Sequence, residues 1–211
     1  MEKKYKLTEE TINVGGTALY RIEALRDFGN VKKGDKGGFI EDEKNLSQNG
    51  DCWVYDNAKV CDKAIVYNNA KVYDNVMVFD NAMVYGNAKV SGNALVYGNG
   101  VVHDNAVVCD NAWVNCKAQV CGCAEVFGEA RICGDAVITS NSDYIVFKNW
   151  WSSGRYFTWT RSNNMWKVGC FHGTGKELIE KAYKDSGISG REYERVVKYV
   201  ESIIADNGKD K

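Results

Sequence analysis

Val84-Tyr85-Gly86-Asn87-Ala88-Lys89-Val90-Ser91-Gly92-Asn93-Ala94-Leu95-Val96-Tyr97-Gly98-Asn99 decides the fold, because it repeats with a period of six. The pattern extends both ways: from Val54 to Ile138 every sixth residue is aliphatic, giving thirteen Val and two Ile. The residue four places after each of the first fourteen is Ala in twelve cases, the exceptions being Val76 and Gly100. A fixed short period of this kind is the mark of a repeat architecture. Six residues hold one short strand and a tight turn, so three units make a triangular coil of eighteen residues, and the chain winds a β-solenoid. The aliphatic residue of each unit points inward and its two neighbours outward, since side chains alternate along a strand. Alanine fits the narrow corner. The Asn before it (Asn57, Asn69, Asn75, Asn81, Asn87, Asn93, Asn99, Asn105, Asn111) is expected to make the turn, because Asn tolerates positive φ. Proline would remove a ladder donor in coil after coil, and the 211 residues contain none.

With its Val-Tyr-Asp/Gly-Asn-Ala repeats, the segment resembles the left-handed parallel β-helix of hexapeptide-repeat proteins. The fold class expected is mainly β, a left-handed triangular solenoid of somewhat under five coils. That fold hosts acyltransferases, γ-class carbonic anhydrases and inert scaffolds, so the resemblance implies handedness and trimeric association more sharply than activity. Upstream, Ala24 to Phe28, Gly37-Gly38-Phe39-Ile40, Asn45-Leu46-Ser47 and Gly50-Asp51-Cys52-Trp53 are similar to the opening segment of uncharacterised bacterial and prophage hexapeptide-repeat proteins, some labelled transferases. The domain reading is an N-terminal β cap over 1–50, the solenoid over 51–138 and a C-terminal α+β module over 139–211.

Residues eighteen apart stack, so three outward faces can be read. Face one carries Lys59/Cys61, Met77/Phe79, Leu95/Tyr97, Trp113/Asn115 and Arg131/Cys133; face two Ile65/Tyr67, Met83/Tyr85, Val101/His103, Gln119/Cys121 and Val137/Thr139; face three Trp53/Tyr55, Lys71/Tyr73, Lys89/Ser91, Val107/Cys109 and Glu125/Phe127. Faces one and two are apolar at their centres. Contiguous apolar patches mark interaction sites, so Met77, Phe79, Leu95, Tyr97, Trp113, Ile65, Met83, Tyr85 and Val101 are expected at an interface between copies, a trimer being favoured, or beneath a flanking element of the same chain.

Four of the six tryptophans fall between residues 150 and 166, and the charge balance flips from 6 basic and 10 acidic over 51–138 to 12 and 9 over 139–211. Tyr144 to Lys148, Tyr156 to Thr160 and Trp166 to Phe171 read as three strands. Thr174-Gly175-Lys176-Glu177 and Ser189-Gly190-Arg191-Glu192 read as capping boxes that open two amphipathic helices. Trp150, Trp151, Arg155, Tyr156, Trp159 and Arg161 combine aromatic rings with cations, a composition that suits binding a protein or a nucleotide. The alternative is that these rings form the module's own core or cap the last coil.

Composition bounds the rest. A net charge of −1 argues against nonspecific nucleic-acid binding, and no stretch approaches a membrane span. The polar opening Met1-Glu2-Lys3-Lys4 gives no secretory h-region, so the expected compartment is the cytoplasm and the eight cysteines are read as reduced. A γ-class carbonic anhydrase needs three histidines, and the chain has two, His103 and His172. Cys116, Cys121 and Cys123 are close in sequence but fall on different parts of the prism, so no metal is expected there, and no cofactor elsewhere. The stacked aspartates Asp56/Asp74 and Asp62/Asp80 read as solvated turn residues rather than a calcium site. The reading that follows is a non-enzymatic binding and assembly protein, of phage or prophage type, that self-associates and binds a host macromolecule as an inhibitor or counter-defence factor. Two alternatives stand beside it: a hexapeptide-repeat acyltransferase using His103, with Asp104 beside it, at a subunit cleft, and sequestration of a small nucleotide between subunits. The unbroken array from 54 to 138 lacks the inserted loop that covers the acyl donor in many acyltransferases of this fold.

Overall fold

The structure, a computed structural model, describes residues 2–207. They divide into two compact units, Met1–Asp143 and Tyr144–Lys211. The first is a β-solenoid of parallel two-residue strands. One stack holds Lys59–Val60, Met77–Val78, Leu95–Val96, Trp113–Val114 and Arg131–Ile132, and the other two begin at Trp53–Val54 and Ile65–Val66 with five strands each. Every inward Val and Ile from Val54 to Ile138 is fully buried, as is every corner Ala. Coils are joined by ladder bonds such as Leu95 N to Ala112 O at 3.0 Å and Tyr97 N to Val114 O at 3.0 Å.

The turn chemistry corrects the sequence reading. Positive φ falls not at the recurrent Asn position, which Lys63 and Lys117 also hold, but one place before it: Asp56, Asp62, Asn68, Asp74, Asp80, Asp104, Asp110 and Cys116 lie between 51° and 60°, and Gly86, Gly92 and Gly98 occupy the same place. The aspartates also cap the coil above. Asp74 Oδ2 accepts from Gly92 N at 2.8 Å, Asp80 Oδ2 from Gly98 N at 3.0 Å and Asp110 Oδ2 from Gly128 N at 2.9 Å. The Asn side chains do something else: Asn69, Asn87 and Asn105 hydrogen-bond one above another, and so do Asn75, Asn93 and Asn111, which ends on Glu129. Both roles fall at the corner, and the spacing alone did not separate them.

The coil count is also higher than expected, about six turns rather than under five. Strand β3 (Lys36–Ile40) pairs in parallel with Lys59–Val60, and Leu46 bridges to Val66, so residues outside the hexad register lay down another turn. Its two glycines are required there. A Cβ on Gly37 would stand 2.5 Å from Val54 O, and one on Gly38 2.5 Å from Ala58 O. Strands β1 (Tyr5–Val14) and β2 (Thr17–Ala24) form an antiparallel hairpin that joins the edge of β3, extending the face-one sheet. Leu19, Phe39 and Cys61 pack together beneath it, with Phe79 against them. Trp53, expected to point outward on face three, is 1% exposed because Tyr5 and Phe28 meet it edge-on at 6.0 and 5.3 Å.

In the second unit the sheet has four antiparallel strands rather than three: Tyr144–Lys148, Tyr156–Thr160, Met165–Val168 and Phe171–Gly173. Gly169, at φ 55°, breaks the run read as one strand into a hairpin. Helix α1 (Gly175–Asp185) is opened by the Thr174–Glu177 capping box as expected. Helix α2 (Gly187–Asn207) starts earlier than Ser189, because Ser186 Oγ accepts from Ser189 N at 3.0 Å and takes the cap. The core joins Phe157, Trp159, Trp166, Leu178, Ala182, Tyr193, Val197 and Val200. No helix among the described residues is long and apolar enough to cross a membrane.

Candidate functional site

Face two exposes two apolar side chains in one row. Ile65 and Met83 are 39% and 36% exposed, and Val101 continues their row, in register across parallel pairs Ile65↔Met83 and Met83↔Val101. The next row is a ring stack. Tyr67 lies on Tyr85 at 4.7 Å and 13°, and Tyr85 lies on His103 at 4.9 Å and 4°. Cross-strand stacking of this kind stiffens a sheet and fixes the rings. His103 thereby has one orientation, and a carboxylate completes it: Nδ1 stands 3.2 Å from Asp104 Oδ1.

Asp104 is held in turn. Its φ of 59° is the corner conformation, and its Oδ2 accepts from Gly122 N at 3.1 Å. The Gly122 amide and then the imidazole keep the Asp104 carboxyl below the usual carboxylate range. With Nδ1–H given to Asp104, the Nε2 lone pair has no hydrogen-bond partner among the described residues. That is the arrangement of an oriented base, in which one nitrogen is fixed by a carboxylate and the other is free to accept a proton. One coil above, Cys121 brings its sulfur within 4.8 Å of ligand atoms of both His103 and Asp104. The eighteen-residue stack of His103 and Cys121 was visible in the sequence. Closeness along the chain groups Cys121 with Cys116 and Cys123 instead, and the structure leaves those two exposed while Cys121 is half-buried.

The other expected interface residues lie on face one and are half-buried: Met77, Phe79, Leu95, Tyr97 and Trp113. Phe79 stacks on Tyr97 at 5.0 Å, Trp113 meets Tyr97 edge-on at 6.2 Å, and the Arg131 guanidinium lies 4.1 Å from the Trp113 ring centre. Asn115 Nδ2 donates to the Tyr97 hydroxyl. The N-terminal hairpin covers the first coils of this face, so face one is the more occupied of the two by its own chain. Among the corner aspartates, Asp56 Oδ2 and Asp62 Oδ2 accept from the amides of Asp74 and Asp80 one coil on, at 3.2 and 3.1 Å.

Comparison with known proteins places the same stretch in context. The family described as YdcK Beta solenoid repeat matches residues 88–104, a window that ends on His103 and Asp104. The fold is a β-solenoid with a six-residue repeat. The chain is similar to the "Uncharacterized acetyltransferase YdcK" of Escherichia coli (strain K12), 40% identical over 62 residues that make up 26% of this chain. The match spans 19% of that protein's length.

The residues expected to bind in the C-terminal unit are divided by the sheet. Trp159 is 1% exposed, with its indole Nε1 donating to Asn164 Oδ1 at 2.9 Å, and Trp151 is half-buried edge-on to Tyr193 at 4.9 Å. Both belong to the core. Trp150, 75% exposed, Tyr156 and Arg155 face outward, with Lys148 Nζ 5.7 Å from the Tyr156 ring centre. Arg161 is half-buried with its guanidinium 5.9 Å from the Trp159 ring centre. Strand alternation decides this division, because Phe157 and Trp159 share the face that receives the helices.

Proposed function

We propose that this chain is an acyltransferase of the hexapeptide-repeat kind, working as an assembly of copies in which the apolar row Ile65–Met83–Val101 packs against a neighbour and leaves His103 in the cleft as general base. The observation that carries the reading is the Tyr85–His103–Asp104 array, an imidazole with one stacked orientation, Nδ1 on a carboxylate and Nε2 free. In the reaction an acceptor hydroxyl or amine attacks the carbonyl of an acyl thioester as Nε2 takes its proton. The tetrahedral intermediate then expels the coenzyme A sulfur, which leaves with the proton held by the imidazolium. Asp104 orients the ring and stabilises its charged form, as the third member of a triad does. The name of the Escherichia coli relative agrees with this class of reaction.

The test is release of coenzyme A from acetyl-CoA, followed by chromatography so that the eight protein thiols do not interfere, with hydroxyl and amine acceptors in turn. His103→Gln should lower turnover by about 10²–10⁴-fold, the usual contribution of a positioned base. Turnover equal in His103→Gln and wild type refutes the assignment.

A second reading is favoured by a different observation, the outward cluster of Trp150, Tyr156 and Arg155 on the C-terminal unit. Exposed aromatics beside cations are the composition of a protein-binding hot spot. In that reading the unit binds a host protein, as an inhibitor would, and Trp150→Ala abolishes co-purification of a stoichiometric partner from host extract while leaving the assembly intact.

A further inference from the structure

We propose that His103 Nδ1, the Asp104 carboxylate and Cys121 Sγ form a three-ligand site for a divalent zinc ion, with a fourth position open on face two. Among the described residues they are the one group of three His, Cys, Asp or Glu side chains whose ligand atoms gather this closely, all within 4.8 Å of one another. The distances suit the ion. With bonds of about 2.0–2.1 Å to nitrogen and oxygen and about 2.3 Å to sulfur, the edges of a zinc tetrahedron are about 3.3 Å for N to O and about 3.5 Å for either to S. The Nδ1 to Oδ1 separation of 3.2 Å already matches the first edge. The sulfur lies within 4.8 Å of the His103 and Asp104 ligand atoms, and a bound ion would draw it to the edge of about 3.5 Å.

The supports are built in. The solenoid sets His103 and Cys121 at matching positions of successive coils, through the parallel pair Val101↔Gln119 and Val102↔Val120. The stacked Tyr85 fixes the imidazole, and the Gly122 amide fixes the carboxylate. Such outer partners orient ligands in metal sites generally. Burial and then the Asp104 and Asp143 carboxylates push the Cys121 thiol up. A bound cation reverses that balance and releases the thiol proton. Nitrogen, oxygen and sulfur together select a borderline-soft ion, and three protein ligands with one open place are the pattern of a reactive rather than a closed zinc site.

The site uses the same imidazole as the acyl-transfer reading but does not rest on it. Metal on Nδ1 moves the ring proton to Nε2 and removes the free lone pair, so the zinc-bound chain is the state with the base switched off and the metal-free chain is the one in which His103 can act as base. Binding is therefore read without turnover. Cobalt(II), the spectroscopic stand-in for zinc, is titrated into the reduced, chelator-treated full chain while thiolate-to-cobalt charge transfer and the visible bands of tetrahedral cobalt are recorded. One equivalent per chain should produce both signals with release of one proton, and zinc should then displace the cobalt and bleach them with no further proton release. Cys121→Ser should abolish the charge-transfer band. Asp104→Asn keeps a side chain that tolerates the corner φ, so its fold survives, and it should weaken binding by at least the roughly 10–100-fold that loss of an outer partner costs. Absence of the band in wild type, or an undiminished band in Cys121→Ser, overturns the proposal; either result leaves the coenzyme A assay of the acyl-transfer reading standing on its own.

Discussion

Replacing Asp80 and Asn81 in turn by Val separates the two corner roles. Asp80 has φ 59° and its Oδ2 accepts from Gly98 N at 3.0 Å, whereas Asn81 carries neither a positive φ nor a bond in either Asn ladder. A side chain that does not tolerate the left-handed region costs about 1–2 kcal/mol there. Loss of the capping bond adds about 1 kcal/mol. Asp80→Val should therefore destabilise the solenoid by about 2–3 kcal/mol. Asp80→Gly removes the bond but relieves the backbone, and should cost about 1 kcal/mol or less. Asn81→Val, exposed and unbridged, should stay within about 0.5 kcal/mol. Urea unfolding of the three variants is the assay, with midpoints compared only where the slope is unchanged, because a slope change in a stacked array signals lost cooperativity. A larger cost for Asn81→Val than for Asp80→Val would refute this account of the turn.

Three further outcomes are expected. Val96→Ala, fully buried between Val78 and Val114, should cost about 2–3 kcal/mol for two lost methyls and the cavity they leave; calorimetry showing less than about 0.5 kcal/mol contradicts a packed prism. Burial first, then the Asp62 and Glu41 carboxylates, push the Cys61 thiol up to about 12 from an ordinary 9.0. Above pH 9 the unfolded thiol loses its proton while the folded one keeps it, so stability falls as pH rises from 9 toward 12. Cys61→Ala should flatten that fall in unfolding curves taken across the range, and an unchanged slope counts against the burial. Met83→Lys with Ile65→Lys should lower the particle mass in light scattering without altering the circular dichroism of the prism, and unchanged mass moves the self-association surface elsewhere.

The solenoid was legible because its signal is redundant. Each coil repeats the Val and Ala that the core demands, and the alternation of strands then places every outward residue on a face. What was missed lies where that redundancy stops. The turn laid down by Phe39, Ile40 and Leu46 keeps the six-residue step from Ile40 to Leu46 to Cys52 but is out of phase with the Val54–Ile138 register and has no Ala at its corners, and Gly37 and Gly38 mark it only by the room they leave. The corner was misassigned between Asp and Asn because both tolerate positive φ, and only the backbone shows which one adopts it. Alternation points Trp53 outward, as holds for an isolated strand, and Tyr5 and Phe28 from distant sequence bury it. His103 and Asp104 were recognisable as a pair of neighbours. Cys121 joins them across one coil, a relation that the eighteen-residue stack of face two already carries and that closeness along the chain does not. In the C-terminal unit the period-two pattern gave the strands but not the break at Gly169, since a glycine inside an apolar run is compatible with either.

Native mass spectrometry of the full chain with acetyl-CoA tests the central claim most directly, because it reads assembly and donor binding in one spectrum. The account predicts a homotrimer that takes up the donor saturably, and loses neither assembly nor donor when His103 is replaced by Gln, since the imidazole serves the chemical step. A monomer, or an assembly that binds no donor at any concentration, contradicts it.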